Sequence, residues 1–203
     1  MQSSPSWSLS LKTAGAAPLT LAEAKAHGRV VVADDDTLLT SYLLVAADVV
    51  EKMSGQALLA QTWIRTATDF PCDDGEPIVL PRPPIVSVTS VQYRDENDVL
   101  QTWDPAKYRV ITVGRFGAIV PTIGNGYPLT RNAVTAGGQA PDAVQIEFVC
   151  GNANAAAVPA RLMLAQKVLV AYWYANPELA KVGDLPMGLD ALIGSPAHVD
   201  PCW

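Results

Sequence analysis

The residue types that carry most enzyme chemistry are sparse or poorly placed in this chain. His27 and His198 are the only histidines. His27 falls in the last turn of a short expected helix, where a cation complements the helix dipole. His198 sits in a tail too extended to hold a catalytic geometry alone. Cys72, Cys150 and Cys202 are odd in number, far apart and without a Cys-x-x-Cys pair. Neither a metal site nor a disulfide framework is therefore expected, and a reducing compartment with Cys150 as a buried thiol is the simpler reading. Acidic residues cluster at Asp34–Asp36, Asp73–Glu76 and Asp95–Asp98. None has the alternating oxygen-ligand spacing of a calcium loop. The first reads as helix capping and the other two as solvated turns. Gly114-Arg115-Phe116-Gly117 and Gly124-Asn125-Gly126 lack the Gly-Lys-Ser/Thr ending of a phosphate loop and read as β-turns. No Gly-x-Ser-x-Gly elbow is present, although the sequence alone leaves a Ser–His–Asp arrangement open. The expectation is a protein without catalytic residues, cofactor or metal.

Composition sets the frame for these residues. The chain has 203 residues, 49% of them hydrophobic and 17% charged, which suits a globular protein able to bury a core. Fourteen basic against twenty acidic residues give a net charge of −6. Arg82, Arg94, Lys107, Arg109 and Arg115 are scattered beside more numerous acids, so a phosphate-binding face is not expected. No apolar run approaches the roughly 18 residues of a membrane span. Met1–Ser10 has no basic start followed by an apolar core, so no secretory signal is expected.

Helical signals come first along the chain. Thr20-Leu21-Ala22-Glu23 has the form of a capping box opening a short helix over about 20–28, stopped at Gly28. The acids at 34–36 open a longer helix. Its core stripe is Leu39, Leu43, Ala46, Val50 and Met53, widened by Leu38, Tyr42 and Val49 and closed by Gly55. From Gln61 the period falls to two. Strands are expected at Thr62–Thr68, Ile78–Leu80, Ile85–Arg94, Val99–Trp103, Tyr108–Val113, Ala118–Val120 and around Val144, Ile146 and Phe148, with residues 124–142 as loop. A helix over 159–176 follows Pro159 and ends at Asn176-Pro177. It is apolar nearly all round, so it is either central in a core or packed against another molecule. A short helix at Leu189–Ile193 precedes a proline-bearing tail that ends in Cys202-Trp203.

The expected fold is α+β. A small helical core with three main helices is interrupted by an antiparallel β insertion, with extended arms at both ends. The N-terminal arm is 1–18, the helical core 19–60 with 151–194, the β insertion 61–150 and the tail 195–203. Met163, Val170 and Tyr174 are the candidate subunit-interface residues of the long helix. Pro196, His198, Val199, Pro201 and Trp203 are the candidate contact residues of the tail, because tryptophan anchors contacts well.

This order of elements and several strings resemble the head–tail connector (adaptor) proteins of tailed bacteriophages and gene transfer agents. The likeness rests on Leu19-Thr20-Leu21-Ala22-Glu23-Ala24-Lys25, on Leu80-Pro81-Arg82-Pro83-Pro84-Ile85-Val86-Ser87-Val88, and on Asp104-Pro105-Ala106-Lys107-Tyr108-Arg109-Val110. Ile119-Val120-Pro121, Val158-Pro159 and Trp173-Tyr174-Ala175-Asn176-Pro177 complete it, spanning about residues 19–193. The chain departs from the pattern in a longer stretch at Thr130–Asp142, at Gly151-Asn152-Ala153 and throughout the tail.

The resemblance implies a structural virion protein, assembled in the bacterial cytoplasm and located at the particle neck. It implies a ring, usually of about twelve copies, below the portal protein, with DNA passing through its lumen without sequence-specific binding. The ring would give a docking platform for stopper or tail proteins, and the tail would grip the portal. No membrane is involved in this picture. A stopper or tail-completion protein is the alternative within the class, and a small-ligand-binding or enzymatic module the alternative outside it.

Overall fold

A computed structural model describes residues 5–73, 75–134, 140–177 and 185–194. The fold is α+β, as expected, and divides into two compact units: residues 1–14 with 61–151, and residues 15–60 with 152–203.

The first unit holds the strands. They are β1 (Trp7–Thr13), β2 (Gln61–Ala67), β3 (Ile78–Leu80), β4 (Ile85–Arg94), β5 (Leu100–Thr102), β6 (Tyr108–Val113), β7 (Phe116–Pro121) and β8 (Val144–Cys150). Two antiparallel sheets result, one of order β1-β2-β8-β4-β5 and one of order β3-β7-β6. The β8 alternation reads directly into structure: Val144, Ile146, Phe148 and Cys150 are buried, while Gln145, Glu147 and Val149 face the other side. β4 departs from period two. Bulges after Ile85 and after Val88 let Ile85, Val88, Val91 and Tyr93 pair in turn with Cys150, Phe148, Ile146 and Val144.

One expectation changes in this unit. The segment 1–18 is not simply an arm, because β1 pairs along β2 from Trp7 opposite Ala67 to Leu11 opposite Trp63. Trp7, Leu9 and Leu11 alternate with Ser8 and Ser10, which is a strand pattern set inside a small-residue composition. The Arg65 guanidinium lies 4.1 Å from the centre of the Trp7 ring, so β1 also covers a largely buried cation. Burial lowers the Arg65 pKa to about 10. The loop over 124–142 contains one helical turn, α3 (Arg131–Val134).

The second unit holds α1 (Leu21–Gly28), α2 (Asp36–Ser54), α4 (Ala160–Ala175) and α5 (Leu189–Ile193). The Thr20–Glu23 capping box forms: the Glu23 amide donates to Thr20 Oγ1 at 3.3 Å and the Thr20 amide to Glu23 Oε2 at 3.0 Å. α1 ends at Gly28, as expected, with Arg29 as its C-cap in the left-handed region (φ 54°). α4 packs against α1, α2 and α5, which accounts for its lack of a polar face. Leu162, Ala165, Leu169, Val170 and Trp173 join Leu39, Leu43, Ala46 and Val50 of α2, and Leu189 and Ile193 of α5, in one core.

Candidate functional site

The residues with chemical potential are engaged in local structure. Asp35 occupies the N-cap position of α2 but makes no cap hydrogen bond. Its Oδ2 accepts the Tyr174 hydroxyl at 2.7 Å, and Asp36 pairs with Lys25 at 2.5 Å. The acids are thus placed for the helix dipole, while their side chains tie α2 to α4 and α1 rather than capping it. Asp95 accepts from the amides of Asn97 and Val99 and from Gln101 Nε2, which shapes the β4–β5 turn and holds its carboxyl below the usual range. Asp73 accepts from the Gly75 amide. His27 is exposed in the last turn of α1, Cys72 is exposed and Cys150 is buried. Among the described residues no group of three or more His, Cys, Asp or Glu side chains could hold a metal. Among the same residues no helix is long and apolar enough to cross a membrane.

Of the candidate interface residues on α4, Val170 is 1% exposed in the core of its own unit. Met163 and Tyr174 are partly buried against that core. The candidate tail residues Pro196, His198, Val199, Pro201 and Trp203 lie outside the described residues.

Exposed apolar side chains of the helical unit include Leu164 on α4, 42% exposed, Val31, Val32 and Met187, and three lie together on α2. Leu38, expected in the core stripe, is 41% exposed, and Leu44 and Val45 are 59% and 47% exposed. Thr37, Thr40 and Ser41 complete the exposed first half of this face. The hydroxyls of Thr40 and Ser41 donate back to the carbonyls of Asp36 and Thr37, at 2.7 and 3.1 Å, and so are internally satisfied. Charge returns only at Asp48 and Lys52, which pair with each other at 2.6 Å. The sequence carried the signal, since Leu44 and Val45 fall off the core stripe of an otherwise amphipathic helix.

The strand unit has a different feature, a groove of about 410 Å³. One side is the β4–β5 turn, with Asp95, Glu96 and Asn97; the other is the loop after β7, with Asn125, Gly126, Pro128 and Leu129. Tyr93 and Trp103 line it as well, with Lys107. Beneath lies an aromatic cluster in which Phe70 stacks on Tyr127 at 5.3 Å and Trp103 meets Phe70, Tyr127 and Tyr108 at 4.9–5.6 Å between centroids.

No family model matches the chain, and no curated protein does. Solved structures do.

The fold is that of chains in a gene transfer agent particle. A chain of the neck of an empty gene transfer agent particle, computed with C6 symmetry, is 26% identical with a TM-score of 0.68, covering 94% of this chain and 97% of that one. A chain of the virion of a native particle is 24% identical with a TM-score of 0.69, over 94% and 96%. A chain of the neck of a native particle, computed with C12 symmetry, is 24% identical with a TM-score of 0.65, over 94% and 97%. The similarity spans both units, so the strand insertion within a helical unit is common to all of these chains.

Proposed function

We propose that this chain is a structural component of the neck of a gene transfer agent or tailed-phage particle. In this reading it is an adaptor, repeated as a ring of twelve copies below the portal protein, and it performs no chemistry. The observation that carries the reading is the match over nearly the whole of both chains to neck proteins, one of them from a map computed with C12 symmetry.

The physical character of the chain supports it. A closed ring needs a surface that a second copy covers through a heterologous contact. The uncharged face of α2, with Leu38, Leu44 and Val45 exposed and its hydroxyls bonded inward, supplies such a surface. Met163 and Tyr174, partly buried at the margin of the same core, would complete the contact. A net charge of −6 repels a phosphate backbone and favours passage of DNA through the lumen without adhesion. The tail from Ser195, with Pro196, His198, Val199, Pro201 and Trp203, would grip the portal, leaving the strand unit for stopper or tail proteins.

The test is to mix the purified chain with its cognate portal and measure particle mass. The expected result is a portal-bound ring of twelve copies. Sedimentation as a monomer in the presence of portal overturns the adaptor reading. A ring of six that binds only to an already assembled neck would favour a stopper instead.

A further inference from the structure

The larger sheet of the strand unit ends at β1, and the backbone of that strand is only half used. The Thr68 amide donates to the Ser6 carbonyl at 3.3 Å and the Ser6 amide to Thr68 Oγ1 at 3.3 Å, so Ser6 faces β2. Facing alternates along an antiparallel strand, and the register sets Ser8 opposite Thr66 and Ser10 opposite Ile64. Ser6, Ser8 and Ser10 therefore turn their backbone groups to β2, while the N–H and C=O groups of Trp7, Leu9 and Leu11 point off the sheet edge. Among the described residues nothing pairs with that outward row.

This edge is also unguarded. Sheets usually protect such a row with charge, proline, a bulge or a very short strand. At the far side of the same sheet β5 is protected in this way, being 3 residues long with Asp98 before it and Asp104-Pro105 after it. From Ser6 to Leu11 the first strand has neither charge nor proline, and its bulge comes only after Leu11. The next residue, Lys12, is paired with Glu147 at 2.6 Å.

We propose that β1 pairs with β1 of a second copy of this chain, antiparallel about Leu9, joining two sheets edge to edge. The strand is complementary to itself in that register. Leu9 lies opposite Leu9 and Trp7 opposite Leu11 of the second copy, so every outward N–H meets an outward C=O. Apolar side chains meet on one face, and Ser8 meets Ser10 of the second copy on the other. Charge favours a second copy here over other parts of the surface. A chain of net charge −6 repels its own copies, but this stretch sets no like charges together, and Lys12 falls opposite Ser6 of the second copy. A twofold pair does not repeat around a ring, so it belongs to the free chain before assembly and does not depend on the neck reading.

The experiment is sedimentation of the full chain, which is expected to pass from monomer to dimer as its concentration rises from about 1 µM to about 1 mM. Leu9→Pro deletes an N–H that β2 does not use, and is expected to weaken the dimer by about tenfold or more while the strand stays in place. A charge exchange tests the register without relying on that variant. Ser8→Lys with Ser10→Lys sets lysines opposite each other in the paired strands, and Ser8→Glu with Ser10→Glu does the same with glutamates. Each double variant alone is expected to stay monomeric, and an equimolar mixture of the two is expected to dimerise. A parent chain that remains monomeric up to about 1 mM overturns the proposal. So does a dimer that either double variant retains alone, or a mixture that stays monomeric.

Discussion

The Tyr174 hydroxyl donates to Asp35 Oδ2 at 2.7 Å, closing a separation of 139 residues between the last turn of α4 and the residue that opens α2. The bond raises the Tyr174 pKa above its ordinary value, first because the hydroxyl donates to Asp35, then by desolvation and by the charge of Asp35. A folded pKa above the unfolded one means that the folded state holds the proton more tightly. The contribution is therefore complete below about pH 10, the unfolded value for tyrosine, and disappears as pH rises through the raised folded value. Urea denaturation across pH 8–12 should show an alkaline loss of stability in the parent chain. In Tyr174→Phe that portion should be missing, with the variant less stable at neutral pH and the two curves converging at high pH. Parallel curves would mean that the hydroxyl contributes nothing to folding.

Gly117 of β7 is required by Ile85 of β4. A Cβ at position 117 would lie 2.9 Å from the Cβ, Cγ1 and Cγ2 atoms of Ile85, closer than side-chain atoms approach. Gly117→Ala should therefore destabilise the chain by about 1–3 kcal/mol through overpacking. Ile85→Val would not relieve the clash, because valine keeps all three crowding atoms. Ile85→Ala removes two of them. The double variant Gly117→Ala with Ile85→Ala should be more stable than the sum of the single changes predicts, by about 0.5 kcal/mol or more. Additive free energies of denaturation would show that the crowding is relaxed elsewhere.

Much of this arrangement was legible before the structure, and the exceptions have physical causes. β8 reads cleanly because its two faces differ and its alternation is unbroken. β1 carries the same alternation but pairs with a strand far along the chain, as in Trp7 opposite Ala67, so small-residue composition masked a strand whose partner is not local. In β4 the two bulges replace the period of two by a period near three, and Val88 rather than Ser87 pairs with Phe148. The all-round apolar α4 left two readings open, and its place among α1, α2 and α5 accounts for the pattern within one chain. The groove could not be read at all. Phe70, Tyr93, Trp103, Tyr108 and Tyr127 come from separate stretches, and no spacing within any one of them announces an aromatic cluster.

The aromatic cluster should act as the keystone of the strand unit. Phe70 is 3% exposed and contacts Tyr93, Trp103 and Tyr127. Phe70→Ala should cost about 3–5 kcal/mol, the usual loss for a buried phenyl ring. Phe70→Leu, which keeps most of the volume, should cost about 1.5 kcal/mol or less. Thermal denaturation would check the order of the two. Equal losses would mean that ring geometry, rather than filled volume, holds the cluster.

The Thr20–Glu23 capping box offers a test confined to one helix end. Thr20→Ala removes the acceptor for the Glu23 amide and the hydroxyl bonded to the Glu23 carboxylate, and should destabilise the chain by about 1 kcal/mol. Thr20→Ser keeps the oxygen and should lose a small fraction of that. A similar loss for alanine and serine would assign the effect to the threonine methyl group.

Adjacent leucines on α2 should separate folding from assembly. Leu43 is 5% exposed in the helical core, whereas Leu44 is 59% exposed on the uncharged face. Leu43→Ala should cost about 2–5 kcal/mol, the range for a buried leucine. Leu44→Lys should change stability by about 0.5 kcal/mol or less, because its side chain already meets water. If a second copy covers this face, the same Leu44→Lys chain must bury an unpaired ammonium in every contact of the ring, and the penalty repeats at each subunit boundary. Circular dichroism should then report a normal fold for Leu44→Lys, while mass measurement in the presence of portal reports lost or incomplete rings. Val45→Lys should behave in the same way, being exposed on the neighbouring position of that face. Intact rings from both lysine variants would place the subunit contact on another surface. The neck reading itself would survive, because it rests on the shared fold and not on α2.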